Sequence, residues 1–218
     1  MSLMRAFLAA CGLVLAATSV SAQSPRDHQH AFRDAERWAQ VFDDPERDAW
    51  QKPHEVIQAL ALEPGAHVAD LGAGTGYFTV RLANVLPVGR VYAVDIEPDM
   101  VRYLEARARR EGLGNVVAVN GEPDDPRLPG PVDLVLLVDV YHHIGDRTRY
   151  FRNLSRSLRP GGRVAIVDFR PDSPAGPPRA ARIAPETVKA EMKAAGYAVA
   201  AEHRFLPYQY FVVLRPAP

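Results

Sequence analysis

Val132 to Val138 is apolar at every position except Asp133, and a run of this kind belongs to a strand buried on both faces of a parallel sheet. Such a strand needs partners on both edges and helices over both faces, and the flanking sequence supplies them in alternation. Upstream, the pattern predicts strands over residues 66–71, 90–95 and 115–120, with helices over 77–86 and 98–112. Downstream it predicts a helix over 146–158, stopped by Arg159-Pro160-Gly161-Gly162, and a fifth strand over 163–168. Five strands separated by helices imply a Rossmann-like, doubly wound α/β sheet with right-handed crossovers.

The two ends of the chain break this rhythm. Residues 170–178 hold four prolines and a glycine and read as a loop over the carboxyl edge of the sheet. After a helix over 185–195, strands over 197–204 and 209–215 face each other across Phe205-Leu206-Pro207-Tyr208. That connection has no room for a crossover helix, so the last two strands pair antiparallel, which brings the sheet to seven. Toward the N-terminus, Phe32, Ala35, Trp38, Ala39 and Phe42 recur at helical spacing, and Pro53 opens a second helix that Glu63-Pro64-Gly65 stops.

Met1 to Arg5, the apolar stretch Ala6 to Ala17 and the small residues Val20-Ser21-Ala22 read as a secretory signal peptide cleaved after Ala22, giving a periplasmic or secreted protein. The apolar run falls short of the ~20 residues of a spanning helix, so no stable membrane insertion is expected after cleavage. Leu8-Ala9-Ala10-Cys11 leaves a lipoprotein cleavage as the alternative. The expected organisation is a signal peptide over 1–22, a helical segment over 23–62 and one α/β domain over 63–218. Removal of the leader takes away the single cysteine, which by itself already excludes a disulfide framework and a cysteine-based zinc site. Lys plus Arg and Asp plus Glu both number 26, so there is no basic surplus for nucleic acid.

The chemistry gathers at strand ends. Asp70-Leu71-Gly72-Ala73-Gly74-Thr75-Gly76 lies between the first strand and its helix, where a ligand meets backbone, although a tight strand-to-helix turn has the same composition. Its glycine spacing departs from the G-x-G-x-x-G of dinucleotide binders. The carboxylate two places before the first glycine repels a pyrophosphate and suits the cationic end of an amino-acid-bearing ligand. Asp95 closes the second strand, where a carboxylate accepts both hydroxyls of a ribose or else caps the helix entered at Pro98. The loop 120–125 ends the third strand with three acids, Glu122, Asp124 and Asp125, any of which either faces a base or is solvated. Asp139-Val140-Tyr141-His142-His143 leaves the apolar strand, and Asp139 there has a second reading as a helix cap.

Residues 68–83, 91–97, 121–129, 133–143 and 158–168, taken together, resemble the class I S-adenosylmethionine-dependent methyltransferases over about residues 50–215. The resemblance implies their mostly parallel seven-stranded sheet with an antiparallel last strand, and S-adenosyl-L-methionine as methyl donor. It implies that Asp70, Gly72, Gly74 and Gly76 surround the methionine part, Asp95 holds the ribose and Ile96 packs on adenine. Glu122 falls where the family often has an Asp beside the adenine, and Asp139 near the donor's amino group. A His-His pair is common in the small-molecule subgroup, which makes His142 and His143 the candidate catalytic residues, each able to orient or deprotonate an acceptor or else simply packed. A metal reading of the pair lacks a third ligand at suitable spacing.

Tyr77 and Tyr141 are read as cleft residues or as core. The N-terminal helices, with Trp38, Trp50 and Gln51-Lys52-Pro53, are read as a lid over the cleft, with residues 170–178 opposite, or as helices docked for stability. The expected activity is methyl transfer to a small-molecule acceptor. The alternatives are a noncatalytic exported S-adenosylmethionine- or nucleoside-binding protein on the same fold and a nicotinamide-linked dehydrogenase, which the glycine spacing and the terminal hairpin disfavour. Export stands against a donor made in the cytoplasm, and acceptor and oligomeric state are not legible.

Overall fold

The computed structural model describes residues 34–218, so the leader over 1–22 lies outside the described residues. Three N-terminal helices, α1 (Ala35–Phe42), α2 (Arg47–Gln51) and α3 (Pro53–Ala59), precede the alternating part. There β1 (His67–Leu71), α4 (Tyr77–Val85), β2 (Arg90–Asp95), α5 (Pro98–Arg110) and β3 (Val116–Asn120) form the first half. The second half comprises β4 (Val132–Val138), α6 (Arg147–Leu154), β5 (Leu158–Phe169), α7 (Pro185–Ala194), β6 (Tyr197–His203) and β7 (Gln209–Pro216). The sheet runs β3-β2-β1-β4-β5-β7-β6, and β7 runs antiparallel to the other strands.

The apolar run takes the central place its composition requires. Side chains alternate across a strand, so Val135 and Leu137 enter one core with Phe151 of α6 and Met192 of α7. Leu134 and Leu136 enter the other with Ile57 of α3 and Leu82 of α4. Truncating any of these buried leucines to Ala costs about 2–5 kcal/mol.

Local chemistry sets the helix ends. Pro98 and Pro185 stand in the first turns of α5 and α7, and the Asp146 carboxylate caps α6 by accepting the Arg149 N–H at 3.1 Å. Two departures from the sequence reading have local causes. The five-residue α2 has no apolar periodicity to reveal it. β5 begins at Leu158, which pairs with Val132, and the register resumes at Leu134 with Arg163, so Arg159-Pro160-Gly161-Gly162 is a bulge inside the strand. Gly161 takes φ +81° there, which a side chain would strain. The predicted helix over 146–158 correspondingly gives way to a 3-10 turn at Ser155–Ser157.

Strand order reverses between β1 and β4, so the turns that leave these two strands face one another at the carboxyl edge, the usual ligand position of an open α/β sheet.

Candidate active site

The turn after β1 rests on three left-handed glycines, at φ +67° (Gly72), +56° (Gly74) and +96° (Gly76). Each also lies against a neighbour. A Cβ at Gly72 meets Val140 Cγ2 at 2.3 Å, one at Gly74 meets the Phe42 ring at 3.3 Å, and one at Gly76 meets Leu104 Cδ2 at 2.9 Å. The glycines thus bring the β1 turn onto the turn after β4, onto α1 and onto α5. Within this turn the buried Thr75 hydroxyl has no hydrogen-bond partner among the described residues.

Asp70, buried at the end of β1, accepts the Thr79 hydroxyl at 2.6 Å. Burial pushes its carboxyl up to about 6, against the Thr79 bond and the nearby Arg47 charge. Asp95 is 9% exposed and accepts the Gly74 N–H at 2.8 Å and the Glu97 N–H at 3.0 Å, tying the β1 and β2 turns together. Its pKa is raised by burial against those two backbone bonds. Ile96 beside it is 39% exposed. Glu122 is exposed and pairs with Arg127 at 2.6 Å.

Across the edge, the β4 side is more densely charged. Asp139 has φ +60° and accepts the Gln209 amide at 2.5 Å, and Gln209 in turn accepts the buried Gln51 amide at 2.5 Å. Arg47, also on α2, lies 3.8 Å from Asp139 and donates to the Phe42 carbonyl at 2.9 Å. Burial and the neighbouring Asp168 push Asp139 up to about 7, although Arg47 opposes this. His142 Nδ1 lies 3.0 and 2.9 Å from the two Asp168 oxygens, and its ring packs on that of His143 at 4.2 Å between centroids.

The two tyrosines part company with the cleft reading. Tyr141 points into the core, stacked on Phe151 with its hydroxyl donated to Glu191 at 2.7 Å. The 3-10 turn Tyr141–His143 is the reason, since three residues per turn send adjacent side chains to different sides. Tyr77 is also buried, with the Arg47 and Arg81 guanidinium carbons each 4.0 Å from its ring centre and its hydroxyl on Asp48.

The sequence-level candidates therefore fall into two groups. Asp70, Gly72, Gly74, Gly76, Asp95 and Ile96 lie along the β1–β2 turns, with Glu122 beyond β3, while Asp139, His142 and His143 leave β4. Sequence reasoning missed Asp168, Gln209 and Arg47, and it named Gln51 only as part of a lid segment. An acid at the end of β5, next to the strand that carries the histidines, was the available signal for Asp168, whereas nothing local marks the two glutamines.

A family model described as a methyltransferase domain matches residues 62–208. The chain belongs to this family of methyltransferase domains. The chain is 33% identical over 145 residues to the biotin biosynthesis bifunctional protein BioCD of Bordetella avium, covering 64% of this chain and 30% of that protein. It is 28% identical over 117 residues to the ubiquinone/menaquinone biosynthesis C-methyltransferase UbiE of Vibrio vulnificus, covering 52% of this chain and 45% of that one. The matches thus span less than half the length of these curated relatives. Among solved structures, a SAM-dependent methyltransferase from Aquifex aeolicus superposes with a TM-score of 0.76 at 26% identity, covering 83% of this chain and 97% of that one.

Proposed function

We propose that this methyltransferase moves a methyl group from S-adenosyl-L-methionine to a small-molecule acceptor, at the junction of the β1 and β4 turns, after export from the cytoplasm. The contact of Gly72 with Val140 carries this reading, because it sets the glycine turn beside the turn that holds both histidines. Equal numbers of acids and bases support a small molecule over a nucleic acid as partner. The leader-like residues 1–22 support export, and among the described residues no helix is long and apolar enough to cross a membrane.

The residues fit the donor. Buried Asp70 and Asp139, both raised by desolvation, gain from a cationic ammonium group beside them. The unpartnered Thr75 hydroxyl offers a polar contact within the glycine turn. Asp95 has one backbone bond on each oxygen and keeps acceptor capacity for ribose hydroxyls, with Ile96 as the adjacent apolar surface and Glu122 assigned to the adenine. When bound, S-adenosylmethionine supplies a sulfonium methyl open to in-line displacement. The protein's work is then to hold donor and acceptor in line and to exclude water, with His142 and His143 at the acceptor.

Calorimetric titration of residues 23–218 with S-adenosylmethionine and S-adenosylhomocysteine tests the donor assignment. Binding is expected, and Asp95→Ala should weaken it about 10- to 100-fold, the worth of a charge-assisted hydrogen bond. A folded native protein that binds neither ligand overturns the reading. N-terminal sequencing of the expressed full chain tests export, for which a start at Gln23 is expected and an intact leader is the contrary result.

A further inference from the structure

The structure shows how the first of the two adjacent histidines is held. His142 Nδ1 meets both oxygens of Asp168, at 3.0 and 2.9 Å. A carboxylate accepts and does not donate, so the ring nitrogen facing it carries the proton. Asp168 is itself fixed. It is buried, one oxygen accepts the Phe169 N–H at 2.8 Å, and the other accepts the His142 N–H at 3.3 Å. With the Nδ1 proton held in this way, a neutral imidazole keeps its lone pair on Nε2.

We infer that Asp168 is a positioning residue that holds His142 as the Nδ1–H tautomer with Nε2 as general base, and that the acceptor accordingly bears an acidic O–H or C–H rather than a free amine or thioether. The inference rests on the donor and acceptor reading above and adds the substrate class. In the step it describes, the acceptor's O–H or C–H bond gives its proton to Nε2 and its electron pair to the incoming methyl carbon. The methyl–sulfur bond breaks with its pair retained by sulfur. The products are a methylated acceptor, a neutral thioether and an imidazolium stabilised by Asp168. An amine with a free lone pair, or a thioether, needs no such base.

The surroundings support a basic imidazole. Asp168 from β5 and Asp139 from β4 face it, Arg147 from α6 opposes them, His143 stacks on it, and Tyr210 of β7 lies beside the two acids. Burial lowers the His142 pKa, but the Asp168 bond and the two acidic charges outweigh it, so the net shift is upward from 6.5.

Two-dimensional 15N NMR of the histidine ring nitrogens tests this on the intact protein without donor. The expected result is the Nδ1–H tautomer for His142 above a raised pKa, with Asp168→Asn lowering that pKa and Asp168→Glu partly restoring it. An Nε2–H tautomer in the native protein, or a titration unmoved by Asp168→Asn, overturns the positioning role even where donor binding is intact. Failure of donor binding with the tautomer as expected overturns the proposed function instead. Turnover of a phenol panel, against matched anilines and thioethers, tests the substrate class. Phenol methylation should rise with pH through the NMR-measured His142 pKa and fall roughly 100-fold or more in Asp168→Asn, with its acid limb moved to lower pH. Turnover confined to the anilines or thioethers overturns the class.

Discussion

The carboxyl edge of the sheet has two halves, and they are held by contacts of different range. Over β1 and β2, Asp70 bonds Thr79 and Asp95 bonds Glu97 and Gly74, at sequence separations of 9, 2 and 21. Over β4, β5 and β7 the separations are 26 for His142 with Asp168, 70 for Asp139 with Gln209 and 158 for Gln51 with Gln209. The first half is built within one strand-turn-helix unit and its neighbour. The second comes into being only when the N-terminal helices and the last strand have docked, so its polar groups depend on the whole fold for their partners.

The two halves meet at Gly72 and Val140, and the largest expected effect comes from breaking that contact. Gly72→Ala combines a left-handed backbone with a Cβ placed 2.3 Å from Val140 Cγ2. Strain and crowding together should destabilise the protein by about 2–5 kcal/mol in urea unfolding. Part of this should return in the Val140→Ala background, and strict additivity of the two substitutions would show that the turns are not coupled.

A pH series sharpens the comparison. Asp70, raised to about 6, and Asp139, raised to about 7, fold most favourably when protonated. The stability each contributes is full below the unfolded value near 4 and is lost as pH rises through the folded value. His142, also raised, acts in the same direction above its unfolded pKa. Glu191, lowered chiefly by its bond to Arg147, acts in the opposite direction and loses stability as pH falls. Asp139→Asn keeps a residue that tolerates φ +60° and removes one of these titrations. It should therefore gain on the order of 4 kcal/mol over the native protein at pH 8 and little at pH 4. A difference independent of pH, measured by urea unfolding at both values, would mean that Asp139 ionises normally.

The smallest effect belongs to Glu122→Gln, which removes one charge from an exposed pair with Arg127. Stability should change by no more than about 0.5 kcal/mol. A larger loss in thermal unfolding would place Glu122 among the groups that hold the edge together.

The β1–β2 side was the more legible of the two. Asp70, the three glycines and Asp95 form a local motif whose residue types and spacing carry the information, because left-handed turns demand glycine whatever the rest of the chain does. Val132–Val138 and Arg90–Asp95 were likewise bounded as observed, since uninterrupted or alternating apolar character reports burial directly. On the other side His142 and His143 were visible as residue types but not distinguishable, and Tyr141 could be read as cleft or core until it was seen to face Phe151 and Glu191. A three-residue 3-10 turn has no periodicity from which to read a facing direction.

From its sequence alone this chain determined a seven-stranded doubly wound sheet, its central strand and the glycine turn that marks the ligand edge. These follow from local backbone preference and the burial of periodic apolar side chains. Only the tertiary structure decided that His142 meets Asp168, which carboxylates share a buried environment, and that Arg47 and Gln51 of a five-residue helix reach them. Hydrogen bonds and Coulomb interactions depend on distance and desolvation, and those quantities exist only after strands far apart in the chain have been laid side by side.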